Sequence, residues 1–332
     1  MIDHKIIKVH LKETFRIAHG ASDEKELMIV NIKGGLGEAS PVHYYGETID
    51  TITSFIKRAD KVIGDDIFKL EEIIDRLNNM LAYNTAAKAA IDIALHDAIS
   101  KKLGIPVYKM LGITPRDDIA TSYTISINTP DKVKRQTENN PGYHVYKLKV
   151  GVPGDIDMVA AIRDATNARI RVDANAGWSL KEAVQKIKQL EKYDVEFVEQ
   201  PLHWYDYEGY RILRSKVDLP IFADEGVFNA ESIPKYKDIV DGINIKLQKS
   251  GGIREAYKMI AVARAFKMKI MIGCMVESSV GISAAAQLAP LVDHVDLDGN
   301  MLIADDPYDG IHAVDGYLKY NDRPGIGVVE KG

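Results

Sequence analysis

The chain reads as an α/β protein, a closed parallel barrel of strand–helix units preceded by a smaller α+β domain. Three observations predict this. From about residue 119 onward, short apolar and β-branched runs recur eight times: IATSYTISI, HVYKLKV, ARIRVDA, VEFVE, PIFADE, GINIKL, KIMIGC and DHVDLD. Amphipathic segments such as DIDMVAAIRDAT, SLKEAVQKIKQLEKY and REAYKMIAVARAFK separate them. Continuous apolar strands alternating with helices predict a parallel sheet covered on its outer face, and eight such units predict closure into a barrel rather than an open sheet. The first third of the chain lacks this alternation.

That first third takes each element from local signals. Strand-like runs at 3–12 and 26–33 flank a polar loop, FRIAHGASDEK, and the glycines and Pro41 of GGLGEASP end the second run. Helices are predicted near 48–63, 69–80 and 85–103, the last stopped by Gly104 and Pro106. Residues 1–115 thus form an α+β unit and 116–307 the barrel. The tail, 308–332, has no strand left to fill in the barrel and is expected to return and complete the first domain.

Composition narrows the function. With 46% apolar and 27% charged residues among 332, the chain is of globular type. A net charge of −5 speaks against a nucleic-acid partner, which needs a basic surface. No apolar run is long enough to span a membrane, and MIDHKIIKVHLKETF lacks the apolar core of a signal peptide. The single cysteine, Cys274, cannot form an internal disulfide. A cytoplasmic enzyme without nucleic-acid or membrane partners is the expectation.

The chemistry lies at the strand ends. Asp173 in RIRVDAN, Glu199 in VEFVEQP and Asp224 in PIFADE follow one another at about one strand–helix unit, with Lys149 before them and Lys246 after. In a barrel all five side chains gather at one mouth. Three facing carboxylates repel unless a cation joins them, and an all-oxygen set suits Mg²⁺ rather than zinc. Lys147 and Lys149 alternate with Val145 on one strand face, pointing inward. Crowding and burial are expected to depress the pKa values of both lysines. Lys149 is assigned as one base, Lys147 as its electrostatic neighbour, and Lys246 as a second base across the mouth. Two bases flanking one metal can remove a proton from one face of a carbon and return it to the other. That is the arrangement of a racemase or epimerase.

Further polar groups follow. Asp296 and Asp298 in VDLDGN either bind a substrate ammonium or cap a turn. Glu277 in CMVESS and Thr124 in the first barrel run are further candidate substrate contacts. Cys274 has no histidine in phase with it and reads as a packed side chain. His96, inside an apolar helix, reads as structural, His294 fits either role, and Trp178 is expected to pack over the first metal ligand.

These motifs together resemble the enolase superfamily, in its muconate-lactonizing-like branch. AAIDIALHDAISKKLGIPVYKMLG is similar to the branch's capping-domain helix and linker, and YKLKVG, VDANAGW, VEQP, ADE and NIKLQKSGG are similar to its successive barrel motifs. The resemblance covers nearly the whole chain. It implies a modified (β/α)7β TIM-like barrel under an α+β capping domain, with one Mg²⁺ per subunit in a homo-oligomer. VDLDGN after CMVESS is most similar to dipeptide epimerases of the L-Ala-D/L-Xaa type. Carried over, Lys149 and Lys246 exchange the α-proton of the C-terminal residue while Asp296 and Asp298 hold the dipeptide ammonium. Side-chain choice then falls to Phe15–His19 and Tyr44–Tyr45. Arg16 either pairs with an acidic side chain, as in Ala-Glu, or is a solvated loop charge. The alternatives within the branch are o-succinylbenzoate synthase, N-acylamino-acid racemase and muconate cycloisomerase.

Overall fold

The computed structural model describes residues 2–332. Strands β1 (Ile2–Ile17), β2 (Gly20–Ile32) and β3 (Gly35–Ala39) form an antiparallel sheet in that order. The segment expected to be a polar loop is strand instead. Phe15 pairs with Ser22, Arg16 with Ala21 and Ile17 with Gly20, after a register shift between His10 and Phe15. A hairpin with one face in solvent tolerates such polar residues. Helices α1 (Ile49–Ile63), α2 (Leu70–Met80) and α3 (Thr85–Leu103) follow as expected, then the short α4 (Val107–Met110). Thr48 starts α1 with a reciprocal cap, its side chain accepting from Thr51 N while Thr51 Oγ1 accepts from Thr48 N.

Helix α3 is buried from Ala86 to Ser100 on every side, the mark of a helix between two layers rather than on a surface. It lies so close to β3 that a Cβ on Gly37 would stand 1.9 Å from the Ala90 carbonyl oxygen. The apolar side of the sheet, including Met28, Val30 and Ile32, packs with α1, α2 and α3 in one core. Leu27, on the other face, meets Val9, Ile303 and Val276, at the barrel.

The barrel follows: β4 (Tyr123–Ile125), α5 (Pro130–Glu138), β5 (Val145–Lys149), α6 (Asp155–Ala165), β6 (Arg169–Asp173), α7 (Leu180–Leu190), β7 (Val195–Glu199), α8 (Tyr207–Arg214), β8 (Ile221–Ala223), β9 (Gly242–Lys246), α9 (Leu247–Ser250), α10 (Ile253–Ala265), β10 (Lys269–Gly273), α11 (Ser279–Ala286) and β11 (His294–Asp296). The eight strands are parallel neighbours in sequence order, and a parallel bridge from Thr121 to Val295 joins the two ends. Between β8 and β9 the crossover carries only a 3₁₀ turn, Ile233–Lys235, and β11 is followed by another, Gly299–Leu302. Among the described residues no helix is long and apolar enough to cross a membrane.

The tail forms β12 (Tyr308–Asp309), β13 (His312–Val314), β14 (Tyr317–Lys319) and β15 (Val329–Glu330). It touches both halves of the molecule. Ile326 N donates to Asp97 of α3 at 2.7 Å, and Leu318 N donates to Ile119 O at 2.9 Å. Tyr308, Ile311, Leu318, Ile326 and Val328 are buried in the same core as the barrel strands. A second seam is a polar clasp. Glu38 of β3 accepts from Ser278 N at 3.0 Å and from the Ser278 hydroxyl, at the start of α11. Gln248 donates to Glu38 O at 3.1 Å and accepts from Ser40 N at 3.0 Å.

Because the obstacle at Gly37 is backbone, it cannot swing away. Gly37→Ala is expected to cost about 3 kcal/mol, whereas Gly20→Ala, with nothing within 4 Å of the new methyl group, should stay within about 0.5 kcal/mol. Denaturant melts of the two variants check this; equal stabilities would show that α3 and β3 do not pack this closely.

Candidate active site

Every residue of β5 and β9 is buried, so a lysine on the inner face of either must find carboxylates or lose its proton. Lys147 finds three. Its Nζ lies 2.6 Å from Glu199 Oε2, 2.7 Å from Asp296 Oδ2 and 3.1 Å from Asp173 Oδ2. Lys149 donates to the same Asp173 Oδ2 at 2.7 Å. Across the barrel, Lys246 donates to Asp224 Oδ2 at 2.7 Å. The expectation of a depressed Lys147 is corrected here: burial disfavours its charge, but Asp296, Glu199 and Asp173 outweigh burial and hold its pKa well above the usual range. Lys246 is raised likewise, with burial overcome by Asp224 and Glu199.

The strand register places the acids on one level. Lys149 pairs with Asp173 and Asp173 with Glu199 across β5, β6 and β7, and Asp224 follows directly on β8. Their pKa values diverge with their neighbours. Burial raises Asp173, yet Lys149 and Lys147 pull it down to about 2. Glu199 is raised to about 7, by burial and then by Asp173. Asp224 is held far below the carboxylate range by Lys246 and Lys249 despite its burial.

Three supporting residues were not singled out from the sequence. Lys249, in the first turn after β9, donates to both the carbonyl and Oδ1 of Asp224; burial lowers its pKa. Asn244 donates to Glu199 Oε1 at 2.7 Å, and its position two residues before Lys246, in phase on the same strand, is a signal the sequence offered. Gln200 Oε1 accepts from Asp224 N at 2.7 Å and Glu225 N at 3.0 Å.

This set fits a divalent cation. Four buried amino groups (Lys147, Lys149, Lys246 and Lys249) stand among six buried carboxyl groups (Asp173, Glu199, Asp224, Glu225, Asp296 and Asp298), two more acids than bases. Glu199 Oε2 is buried without a hydrogen-bond partner although the Lys147 ammonium is close. As placed, no three of the described acids, histidines or cysteines converge closely enough to hold an ion; lysine ammonium groups stand between them. The donors are hard oxygens, the set that suits Mg²⁺.

A cavity of about 1080 Å³ opens above this floor, walled by Lys147, Lys149, Asp224, Lys246, Asp296, Asp298 and Thr124 from the barrel. Asp298 Oδ2 accepts from Thr124 N at 2.6 Å, and burial, then Asp296, raises Asp298 to about 7. Asp296 gives one oxygen to Lys147 and leaves Oδ1 buried without a partner. From the first domain come Phe15, Ile17, His19, Tyr44 and Tyr45. His19 stacks on Tyr44 at 6.2 Å, and Tyr45 meets Phe228 edge-on at 5.3 Å.

Two expected contacts lie elsewhere. Arg16 is exposed and does not line the cavity; strand alternation turns Phe15 and Ile17 inward and Arg16 away. Glu277 is 1% exposed, outside the wall, and is held by Met275 N at 2.8 Å and Gln248 Nε2 at 2.9 Å. Trp178 spends its N–H on Asp155 at 2.8 Å and packs in the barrel core. Cys274 lines the cavity, but burial pushes its thiol well up. His96 is tied to Asp92 O at 2.9 Å within α3. His294 faces Arg171 at 3.2 Å and is lowered to about 4, by burial first.

Comparison with known proteins agrees with this architecture. Residues 131–330 match the enolase C-terminal domain-like family, and residues 1–112 match the mandelate racemase / muconate lactonizing enzyme N-terminal domain. The L-Ala-D/L-Glu epimerase of Bacteroides thetaiotaomicron is 41% identical over 298 residues, covering 89% of this chain and 78% of that protein. The L-Ala-D/L-amino acid epimerase of Flavobacterium johnsoniae is 34% identical, covering 96% of each. Among solved structures, the dipeptide epimerase of Enterococcus faecalis V583, complexed with Mg and L-Leu-L-Tyr, has a TM-score of 0.94 at 34% identity, covering 98% of each chain. The substrate-liganded L-Ala-D/L-Glu epimerase of Bacillus subtilis gives 0.94 at 34%, covering 99% of this chain and 98% of that one. With both of its parts matched in sequence and its fold shared along nearly the full length, the chain belongs to the mandelate racemase / muconate lactonizing enzyme family of the enolase superfamily.

Proposed function

We propose that this chain is a dipeptide epimerase, inverting the α-carbon of the C-terminal residue of an L-Ala-Xaa dipeptide with Lys149 and Lys246 as its two bases. One observation carries the reading. Strands β5 and β9 are four places apart in an eight-stranded barrel, so the two ammonium groups come from opposite sides of the mouth. In this reading one lysine takes the α-proton from one face of the substrate carbon and the other delivers a proton to the opposite face. Asp298, fixed by Thr124 N, and the free oxygen of Asp296 supply the negative end for the dipeptide ammonium. Lys147 balances Glu199, Asp173 and Asp296 and stays charged. Asp173, Glu199 and Asp224 would hold one Mg²⁺ per subunit, which when bound would supply Lewis-acid polarisation of the substrate carboxylate and positive charge that favours neutral lysine amines. Residues 1–115 act as the cap over the substrate, and the tail 308–332 ties that cap to the barrel. The curated relatives named for dipeptide epimerisation support the same reaction.

In D₂O with Mg²⁺, L-Ala-L-Glu or a related dipeptide is expected to take up deuterium at the C-terminal α-carbon and lose optical purity. Lys149→Ala and Lys246→Ala should each slow inversion on the order of 10³-fold. Each should still wash out the α-proton of one epimer, a different epimer for each variant. Loss of exchange from both epimers in both variants would exclude a two-base mechanism.

Metal binding is separable from turnover. Calorimetry should find Mg²⁺ affinity reduced at least ~10-fold by Glu199→Gln and barely changed by Thr124→Ser; unchanged affinity in Glu199→Gln removes that residue from the ligand set.

Asp298 must be ionised to attract an ammonium, and burial leaves its carboxyl half-protonated near pH 7. Its charge is therefore present above about pH 7 and lost as pH falls through that value. Dipeptide affinity should weaken below pH 7, and the N-acetylated dipeptide, which has no ammonium, should not show that fall.

A further inference from the structure

Lys25 is a half-buried cation with no ion-pair partner among the described residues. It sits on β2, on the face shared with Leu27, which packs toward Val276 and Ile303 at the barrel. Its neighbours in the strand, Glu24 and Glu26, are exposed. The ammonium donates to the carbonyl of Pro41, and among the described residues it makes no ion pair, whereas Lys8 nearby is spent on Glu24 at 2.8 Å. Burial lowers its pKa, while Glu277 raises it through space without touching it. Lys25 also lines the substrate cavity, on the wall that the first domain contributes.

A partly desolvated ammonium held by one neutral carbonyl keeps hydrogen-bonding capacity free toward the cavity, and an anionic group there completes it best. The other cations of the wall do not offer that service to a ligand. Lys147, Lys149 and Lys246 are engaged with the floor carboxylates. Arg16 faces outward. His19 is committed through Nε2 to Asn175 O at 2.6 Å.

We infer that Lys25 is the specificity residue for the side chain of the epimerised residue, pairing with a carboxylate so that an acidic dipeptide such as L-Ala-L-Glu is preferred over its neutral isostere. The inference rests on the epimerase reading and adds the substrate class to it. Lys25 shares one cavity with Lys149, Lys246, Asp296 and Asp298, so in this assignment the side chain of the C-terminal residue extends from the barrel floor toward the wall where Lys25 stands.

The test compares L-Ala-L-Glu with L-Ala-L-Gln, which has the same shape and no charge, by α-deuterium uptake in the Mg²⁺-loaded protein. Wild type is expected to favour the Glu dipeptide, mainly through KM. Lys25→Met should lower the Glu/Gln ratio of kcat/KM on the order of 30-fold, the size expected for losing a charge-assisted contact. Lys25→Gln keeps a donor for Pro41 O and should lower the ratio equally, and Lys25→Arg should retain most of it. A ratio that Lys25→Met and Lys25→Gln leave within ~3-fold of wild type overturns the assignment, as does a parallel loss on both dipeptides. A wild type that exchanges no dipeptide overturns the epimerase reading and this assignment with it.

Discussion

The structure depends on keeping a dense set of opposite charges out of water. Lys147 is the centre of that set. Its ammonium touches carboxylates from β6, β7 and β11, so one side chain on β5 ties four strands of the barrel together. Removing one partner of such a cluster strands the others in a medium that cannot solvate them. The surplus of acid is visible in how the carboxyls divide, with Asp173 and Asp224 held ionised and Glu199, Glu225 and Asp298 pushed up toward neutrality. A divalent cation and a zwitterionic ligand bring charge of the kinds this floor is short of.

What the sequence made legible is what periodicity controls. One strand–helix unit between successive acids, with a lysine one unit before and one after, is enough to put Lys149, Asp173, Glu199, Asp224 and Lys246 on one rim. The three cap helices could be bounded within a residue or two because Thr48 and Gly104 mark their ends. Long-range contacts were not legible. Which lysine meets which carboxylate depends on the barrel interior, so sequence neighbours point to a Lys147 depressed by Lys149, whereas the charges that matter most to it are Asp296 and Glu199. The facing of Arg16 is not legible because the polar composition of FRIAHGASDEK predicts a loop; as strand, alternation sends Arg16 outward. Glu277 carries the right chemistry, but Gln248 and Met275 had already claimed it.

The cavity is shared between two bodies of the chain. The barrel supplies its floor of charged groups, and the antiparallel sheet and the 41–50 segment supply the roof. Their relation is set by buried polar contacts, the Glu38–Ser278 clasp and the Gln248 bridge to Ser40, rather than by apolar packing alone. Polar clasps are directional, so they fix the tilt of the sheet over the mouth more tightly than a greasy interface of similar size. A roof residue such as Lys25 therefore has a defined position relative to the floor.

The tail has a consequence for how the molecule is made. Asp97 on α3, the Ile119 carbonyl and a cleft of the barrel core all receive their partners from residues 318–328, which are made after every barrel strand. Vectorial synthesis thus delivers a nearly complete barrel whose seam stays open until this stretch has emerged. A nascent chain stalled in this stretch would expose apolar surface to chaperones, and a truncated message would yield an unfinished vessel rather than a smaller working one.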